Sequence, residues 1–548
     1  MEKYVIGIDF GSLSARAVLV NAFTGEILSE KVSEYEHQIM SVCLPDGTRL
    51  PENFALQHPQ DYINALTETV HGVLAQSGVD KNNVVGIAND FTACTLVAVD
   101  KNGIPLCLKD EFKSQPHAYV KLWKHHYSQD LADKITNFCK DYNIDSSTFG
   151  GKVSPEWLLP KVWETLKYSK QTFDACDRFY EAGDYINYYL TGIENHSVSY
   201  LGFKGLWTKD KGFLLKDYVD KLDDRLNDVF GSKISLKYNE VGSAVGKLTE
   251  KSAQELGLLR NTTVAASIID AHAPIPALGI CETGNLMLVI GTSTCHIGNA
   301  QNALNVKGIC GYCKDSVIPP YYTYEASQPS CGDQFKWFID NCLPASYLED
   351  AKKQNINIHR YLRERASTLK PGQSGLLSID WFNGNRSTLN DAKLSAVILG
   401  LNLNTKPEEI YRALIEGTAY GSRMIVDNFE ENNVPITKIT ATGGIANKDP
   451  LMMQIYADVL DREIFVSDCG LSGAYGAAIY ATVACGIYPD LITASNALKK
   501  TSGKSYYPNK NNVKIYDKLY TEYKKLYEYF GKGDNDVMKR LLEIKTLN

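Results

Sequence analysis

The feature that most constrains this chain is a strand–turn–strand unit that occurs twice. Tyr4-Val-Ile-Gly-Ile-Asp9-Phe-Gly11-Ser12-Leu-Ser14-Ala-Arg16-Ala-Val-Leu-Val20 is an apolar run, a Gly-Ser turn and a returning β-rich run. Gly284-Asn-Leu-Met-Leu-Val-Ile-Gly291-Thr-Ser-Thr294-Cys-His-Ile-Gly298 repeats that plan without an acid matching Asp9. Both read as β-hairpins, and the first predicts an unusual backbone at Gly11. Turns of glycine, serine and threonine expose N–H groups and hydroxyls, donors that can wrap a phosphate. Asp9, at a strand end, suits a hard cation such as Mg²⁺. Two hairpins of one design predict a duplicated fold that clamps one polyphosphate from both sides, with one acid sufficing for one shared metal.

The length allows this. A chain of 548 residues is too long for one ordinary core, so two large domains are expected, split near residues 281 and 282. A net charge of −7 without a dense Lys/Arg block argues against nucleic acid as a partner. No run of 18 apolar residues predicts a membrane span, and the N-terminus shows no signal-peptide pattern. Thirteen scattered cysteines fit reduced thiols in the cytoplasm. Cys310-Gly-Tyr-Cys313 has no second pair at zinc-site spacing, so incidental thiols are the favoured reading.

Between the hairpins, strand and helix patterns alternate, which predicts α/β domains with mixed sheets. Pro59–Ser77 has helical spacing, and Asn83–Asn89 reads as a strand delivering Asp90-Phe-Thr-Ala93-Cys-Thr95. Residues 117–142 read as helical and carry His125-His126, expected to be a polar patch on that helix. Lys204, flanked by glycines and apolar residues, is either a surface lysine or a cation aimed into a cleft. Asp270 follows a strand and opens onto small residues. It either faces a cleft or caps the next helix. Thr442-Gly443-Gly444 leaves room for a flat ring against backbone, whereas Gly473 and Gly476 are read as close-packing positions. The stretch from Val513 to Leu547 reads as a charged, tyrosine-rich helical tail that covers a surface.

Asp9-Phe-Gly-Ser12, Gly291-Thr-Ser-Thr294 and Thr442-Gly-Gly444 resemble the two phosphate loops and the adenosine loop of the actin-like ATPase superfamily. Along nearly its whole length the chain resembles the FGGY carbohydrate kinases within it. The stretches that carry this are Asp90-Phe-Thr-Ala-Cys-Thr95, Leu122-Trp-Lys-His-His126, Gly150-Gly-Lys, Glu181-Ala-Gly-Asp184, Ile269-Asp-Ala-His272, Tyr324-Glu-Ala326 and Gly443-Gly-Ile-Ala-Asn-Lys448. Pro274 and Pro276 depart from the small aliphatic residues expected there, and Ser12-Leu13 from a Thr and a polar residue.

The resemblance implies an α/β fold of two actin-like (ribonuclease H-like) domains with mixed five-stranded sheets flanked by helices, ATP and sugar lying in the interdomain cleft. It implies Asp270 as general base and Asp9 as the Mg²⁺ residue. Ala93 (through its backbone), Lys204, Asp270 and Glu325 would bind sugar. Gly11, Ser12, Ser14, Arg16, Gly291, Thr292, Ser293, Gly443, Gly444 and Asn447 would bind ATP. The implied reaction is ATP-dependent phosphorylation of a sugar's terminal hydroxyl, and the implied assembly a homodimer. The sugar-contact stretches favour L-ribulose, as in L-arabinose breakdown, over D-ribulose, ribitol or xylulose. An actin-like filament or chaperone ATPase is the alternative of another class.

Overall fold

A computed structural model describes residues 2–533 and 535–546. The first sheet is built from β1 (Tyr4–Phe10), β2 (Ser14–Asn21), β3 (Ile27–Glu34), β4 (Val84–Phe91), β5 (Ala244–Lys247), β6 (Thr263–Ala265) and β7 (Ile268–Ile269). Its order is β5-β6-β4-β1-β2-β3, with β7 also paired to β4. The second sheet uses β8 (Gly284–Ile290), β9 (Thr294–Ala300), β10 (Gly311–Lys314), β11 (Tyr322–Gln328), β12 (Ile436–Thr442), β13 (Ile464–Ser467) and β14 (Gly503–Tyr506), in the order β10-β11-β9-β8-β12-β13-β14. Each sheet thus has seven strands, where five were expected.

The five-stranded unit lies inside each. In the order β3-β2-β1-β4-β6, the first two pairings are antiparallel and the next two parallel. The order β11-β9-β8-β12-β13 repeats that pattern. The additional strands are short ones, added as β5 and β7 in the first sheet and as β10 and β14 in the second. The near-continuous apolar runs of β1 and β8 follow from this arrangement. Each is a central strand, antiparallel to one neighbour and parallel to the other, and its residues are buried on both faces almost without a break.

Helix α1 (Pro59–Ser77) covers β2 and β3. It starts on Pro59, whose missing N–H costs nothing in a first turn, and ends at Gly78 in the left-handed region. Helix α2 (Leu158–Tyr168) and helix α3 (Val198–Lys204) share a separate apolar cluster, to which they give Leu158, Val162, Trp163, Val198 and Leu201. In the second half, α4 (Pro407–Glu431) and α5 (Gly444–Lys448) lie on the second sheet, but α6 (Ser472–Ala484) crosses onto β1 and β4 of the first. That crossing needs glycine. A Cβ on Gly7 would stand 1.9 Å from the Ala474 carbonyl oxygen, and one on Gly476 1.8 Å from that of Ala273. The packing role read for Gly476 follows.

Three local expectations change. Residues 117–142 are not one helix: Pro116–Ala118 is a single 3₁₀ turn, Val120–Lys121 a short strand, and only Gln129–Asp141 is helical. His125 and His126 therefore sit in a turn, and His125 is wholly buried against Glu164. Gly11 is not in the left-handed region. Its turn is closed by its own N–H donating to Ser14 O, 3.0 Å, a geometry that any small residue reaches. In the tail, Lys510–Gly531 forms helix α7 with Tyr516, Tyr520, Tyr523 and Tyr527 turned into the second core, followed by Val537–Thr546. Leu547 lies outside the described residues. Among them, all cysteines are free, and no helix is long and apolar enough to cross a membrane.

Candidate active site

Asp9 stands at the C-terminal end of β1, opposite Asp90 on β4 and Arg16 on β2. Arg16 Nη1 donates to Asp9 Oδ2 at 3.1 Å, so the arginine predicted for ATP is held by the predicted metal residue. The other flank of Asp9 is the start of α6, where a Cβ on Gly473 would come within 3.2 Å of the carboxyl carbon. Glycine there keeps open a space beside a carboxylate, and a small hard cation with carboxylate, water and phosphate ligands fits that donor set. Asp90 is wholly buried, and neither of its carboxylate oxygens has a donor. Burial and then the neighbouring Asp9 and Asp270 push its pKa well above the carboxylate range, so Asp90 is a neutral acid beneath the site.

Each glycine turn is closed by its own glycine N–H, the first turn being one residue longer. Gly11 N–H donates to Ser14 O, and Gly291 N–H donates to Ser293 O at 2.9 Å. Ser12 Oγ accepts from Trp123 Nε1 (3.0 Å), and Ser12 O accepts from Gln57 Nε2 (2.7 Å). Ser14 is buried on β2. The second turn leaves Thr292 exposed and is pinned by Cys331 and Gly332, whose N–H groups donate to Thr292 O (2.7 Å) and Gly291 O (3.0 Å). Neither pinning residue was legible in sequence, because both lie some 40 positions away from the turn they hold.

Gly443 has φ +103, and a Cβ there would stand 2.5 Å from Ile290 O at the end of β8. Gly444 is exposed, with nothing near its missing side chain. Asn447 turns back to donate to Gly443 O, 3.2 Å. Thr442 and Ser472 approach through their hydroxyls at 3.4 Å. The start of α6 thus lies between Asp9 and the Thr442–Gly444 turn, and Gly443 touches the strand leading into the second glycine turn.

Asp270 follows β7, and its N–H donates to Phe91 O at 3.0 Å. The next helix is capped by Ala273, so Asp270 is not its cap. Its Oδ1 accepts from Ala271 N–H at 2.7 Å. Burial, and after it the charge on Asp9, raises its pKa to about 7, with Glu325 adding to the rise and Lys204 opposing it. Lys204, the last residue of α3, is buried and points into the cleft. Its Nζ lies 3.0 and 3.2 Å from the two oxygens of Glu325 on β11. Burial alone would lower the lysine and raise the glutamate. Their mutual attraction outweighs it, so Lys204 is held well above and Glu325 well below the ordinary range. His272 Nε2 lies 3.2 Å from Glu325 Oε2. Burial lowers the His272 pKa, so the imidazole is neutral and donates to Glu325.

Lys204 and Glu325 line a cavity of ≈ 210 Å³ together with Glu156, Arg386 and His126. Arg386 Nη2 and His126 Nε2 lie 2.9 and 3.0 Å from Glu156 Oε1. Burial pushes Glu156 up, but Arg386 and His126 outweigh it and hold the pKa down to about 2. These three residues were not singled out as a site from sequence, since 230 positions separate Glu156 from Arg386. Ala93 lies half-buried in the turn after β4. The one group of three histidine or acidic ligands within reach of each other, among the described residues, is His37, His58 and Asp61. Its imidazole rings stack face to face at 4.2 Å, so their lone pairs lie in nearly parallel planes and do not converge on an ion.

Residues 4–202 match the N-terminal domain, and residues 286–485 the C-terminal domain, of the FGGY family of carbohydrate kinases. The chain belongs to that family. It is a sugar kinase, and so a phosphotransferase. A protein of Bacillus licheniformis named ribulokinase is 43% identical over 541 residues, covering 98% of each chain. One of Staphylococcus aureus with the same name is 37% identical over 545 residues, covering 99% of each. Among solved structures, a ligand-bound xylulose kinase from Lactobacillus acidophilus superposes with a TM-score of 0.78 at 17% identity, over 96% of this chain and 98% of that one. At that identity the likeness concerns the fold of an FGGY kinase: two α/β halves whose mixed sheets are flanked by helices.

Proposed function

We propose that this FGGY kinase uses ATP to phosphorylate the terminal hydroxyl of L-ribulose, giving L-ribulose 5-phosphate and ADP, the step needed in L-arabinose breakdown. The choice of L-ribulose rests on the relatives named ribulokinase, which match nearly end to end. The observation that carries the chemistry is Asp270, a carboxylate raised to about 7 and close enough to Asp9, Lys204 and Glu325 to feel their charges. A base poised near neutrality takes a hydroxyl proton effectively.

In this reading the sugar's terminal oxygen attacks the γ-phosphorus while Asp270 takes its proton. The bond from that phosphorus to the bridging oxygen breaks, and ADP leaves. Lys204 and Glu325 offer donors and an acceptor to the polyol, and the Ala93 backbone supplies a further contact. Gly11, Ser12 and Ser14 with Arg16 on one side, and Gly291, Thr292 and Ser293 on the other, hold the phosphates. Gly443, Gly444 and Asn447 take the adenosine. Mg²⁺ at Asp9 would neutralise polyphosphate charge. The geometry beside Gly473 supports that placement.

Two lobes split at residues 281 and 282, closing over the substrates, would keep water from the γ-phosphate. The free thiols fit a cytoplasmic enzyme. A homodimer is expected, and sedimentation of the purified chain tests it. The reaction itself is tested by phosphorus NMR of the product. Coupling of the new phosphate to the C5 methylene protons of L-ribulose is expected, and phosphate on another carbon, or no sugar phosphate at all, contradicts the proposal.

A further inference from the structure

We propose that Lys161 is a positioning residue of the sugar site: its ammonium fixes the Thr92–Thr95 turn and ties it to the segment that reaches the first glycine turn. This rests on the reading above that Ala93 meets the sugar.

Lys161 lies on α2 and is wholly buried. Its Nζ donates to three backbone carbonyls, Cys94 O at 2.5 Å, Leu122 O at 2.9 Å and Lys121 O at 3.3 Å. No carboxylate lies within ion-pair distance of it among the described residues. Glu181, Glu156 and Glu164 act on it only at longer range. An ammonium carries three donors and no acceptor, and here all three are used. A neutral amine would aim its lone pair at one of the three carbonyls. Burying a cation is costly, so its retention at this point calls for a reason.

The Thr92–Thr95 turn supplies one. Cys94 has φ +59, a conformation that non-glycine residues adopt only when their surroundings impose it. The two ends of the turn, Thr92 and Thr95, are anchored as well. Thr92 N–H donates to Phe10 O at 3.2 Å, next to Asp9. The Thr92 and Thr95 hydroxyls meet at 2.9 Å, and Thr95 N–H donates to Glu181 Oε2 at 3.0 Å. The Cys94 carbonyl, turned inward by the left-handed backbone, is held by Lys161. The peptide that follows Cys94, one residue past Ala93, is thereby set in one orientation.

The other two acceptors belong to Lys121 and Leu122, and Lys121 Nζ returns a bond to Lys161 O at 3.1 Å. The next residue, Trp123, donates its indole N–H to Ser12 Oγ in the first glycine turn. One ammonium therefore joins the turn beside the sugar to the segment touching the phosphate site. The pattern was hidden in sequence because three distant segments supply it.

The test uses the full chain. In the ligand-free Lys161→Met protein, hydrogen exchange at the amides of residues 93–96 is expected to quicken about tenfold or more, with residues 291–294 unchanged. With the sugar that the wild type turns over best, KM for sugar is expected to rise about tenfold or more while KM for ATP stays within about threefold. Exchange that is unchanged, or faster everywhere alike, overturns the proposal, as does an equal rise of both KM values. If Lys161→Met does not fold, Cys94→Val decides, because valine resists the left-handed backbone: a rise in sugar KM alone supports the proposal, and an unchanged sugar KM overturns it. If the wild type turns over no sugar, the functional reading fails by itself, and the exchange measurement still decides whether Lys161 fixes the turn.

Discussion

Lys204 at the end of α3 and Glu325 on β11 face each other at 3.0 Å across the two halves of the chain. Both are buried, so each neutralises a charge that the interior would otherwise penalise. Glu325→Ala leaves the ammonium without its partner. A stability loss of about 3–5 kcal/mol is expected, read as a fall in denaturant midpoint. The double variant Lys204→Met/Glu325→Leu should recover most of that loss. Turnover should stay absent, because an apolar pair fills the space without offering the sugar a donor or an acceptor.

Asp270 sets a pH dependence. Its folded pKa of about 7 lies above the ordinary 3.8, so the folded chain holds its proton more tightly than the unfolded chain does. Stability from this group is present below the unfolded value and is lost as pH rises through about 7. Activity runs the other way, since the base must be ionised. The logarithm of kcat/KM should climb with unit slope below about pH 7 and level above it. Asp270→Asn should flatten the stability profile between pH 4 and 7 and remove turnover. A wild-type stability profile that rises over that window contradicts the assignment.

Gly473→Val tests the space beside Asp9. The added carbons begin 3.2 Å from the Asp9 carboxyl and extend into the position assigned to the cation. Binding of Mn²⁺, followed by electron paramagnetic resonance with ATP present, should weaken about tenfold or more, while sugar binding measured by calorimetry is unchanged.

Gly332→Val tests the pinning of the second glycine turn. A Cβ at this position would lie 2.8 Å from Gly291 O. The turn must shift, and KM for ATP should rise about tenfold with little change in sugar KM.

Local pattern made much of this fold legible. The two hairpins, α1, α4 and the Gly443 turn all follow from apolar period and from glycine at positions that need it. Gly443 at φ +103 and Gly476 against Ala273 O are cases where only glycine fits. What was illegible depends on distance along the chain. The segment around His125 and His126 has helical spacing, yet His125 is drawn into the interior by Glu164, 39 positions on, and the chain turns there instead. Lys204 left two readings open until Glu325, 121 positions later, was placed beside it. Glu156 with Arg386, and Lys161 with its three carbonyls, carry no local signal at all. A buried polar side chain reads in sequence like any surface one.

The most direct test of the account is sugar-stimulated ADP formation for the wild type and Asp270→Asn, with Mg²⁺ and a panel of L-ribulose, D-ribulose, L- and D-xylulose, ribitol and glycerol. The account predicts turnover fastest on L-ribulose in the wild type and at least about a thousandfold slower in the variant. A variant as fast as the wild type, or a wild type that no sugar stimulates, would contradict it.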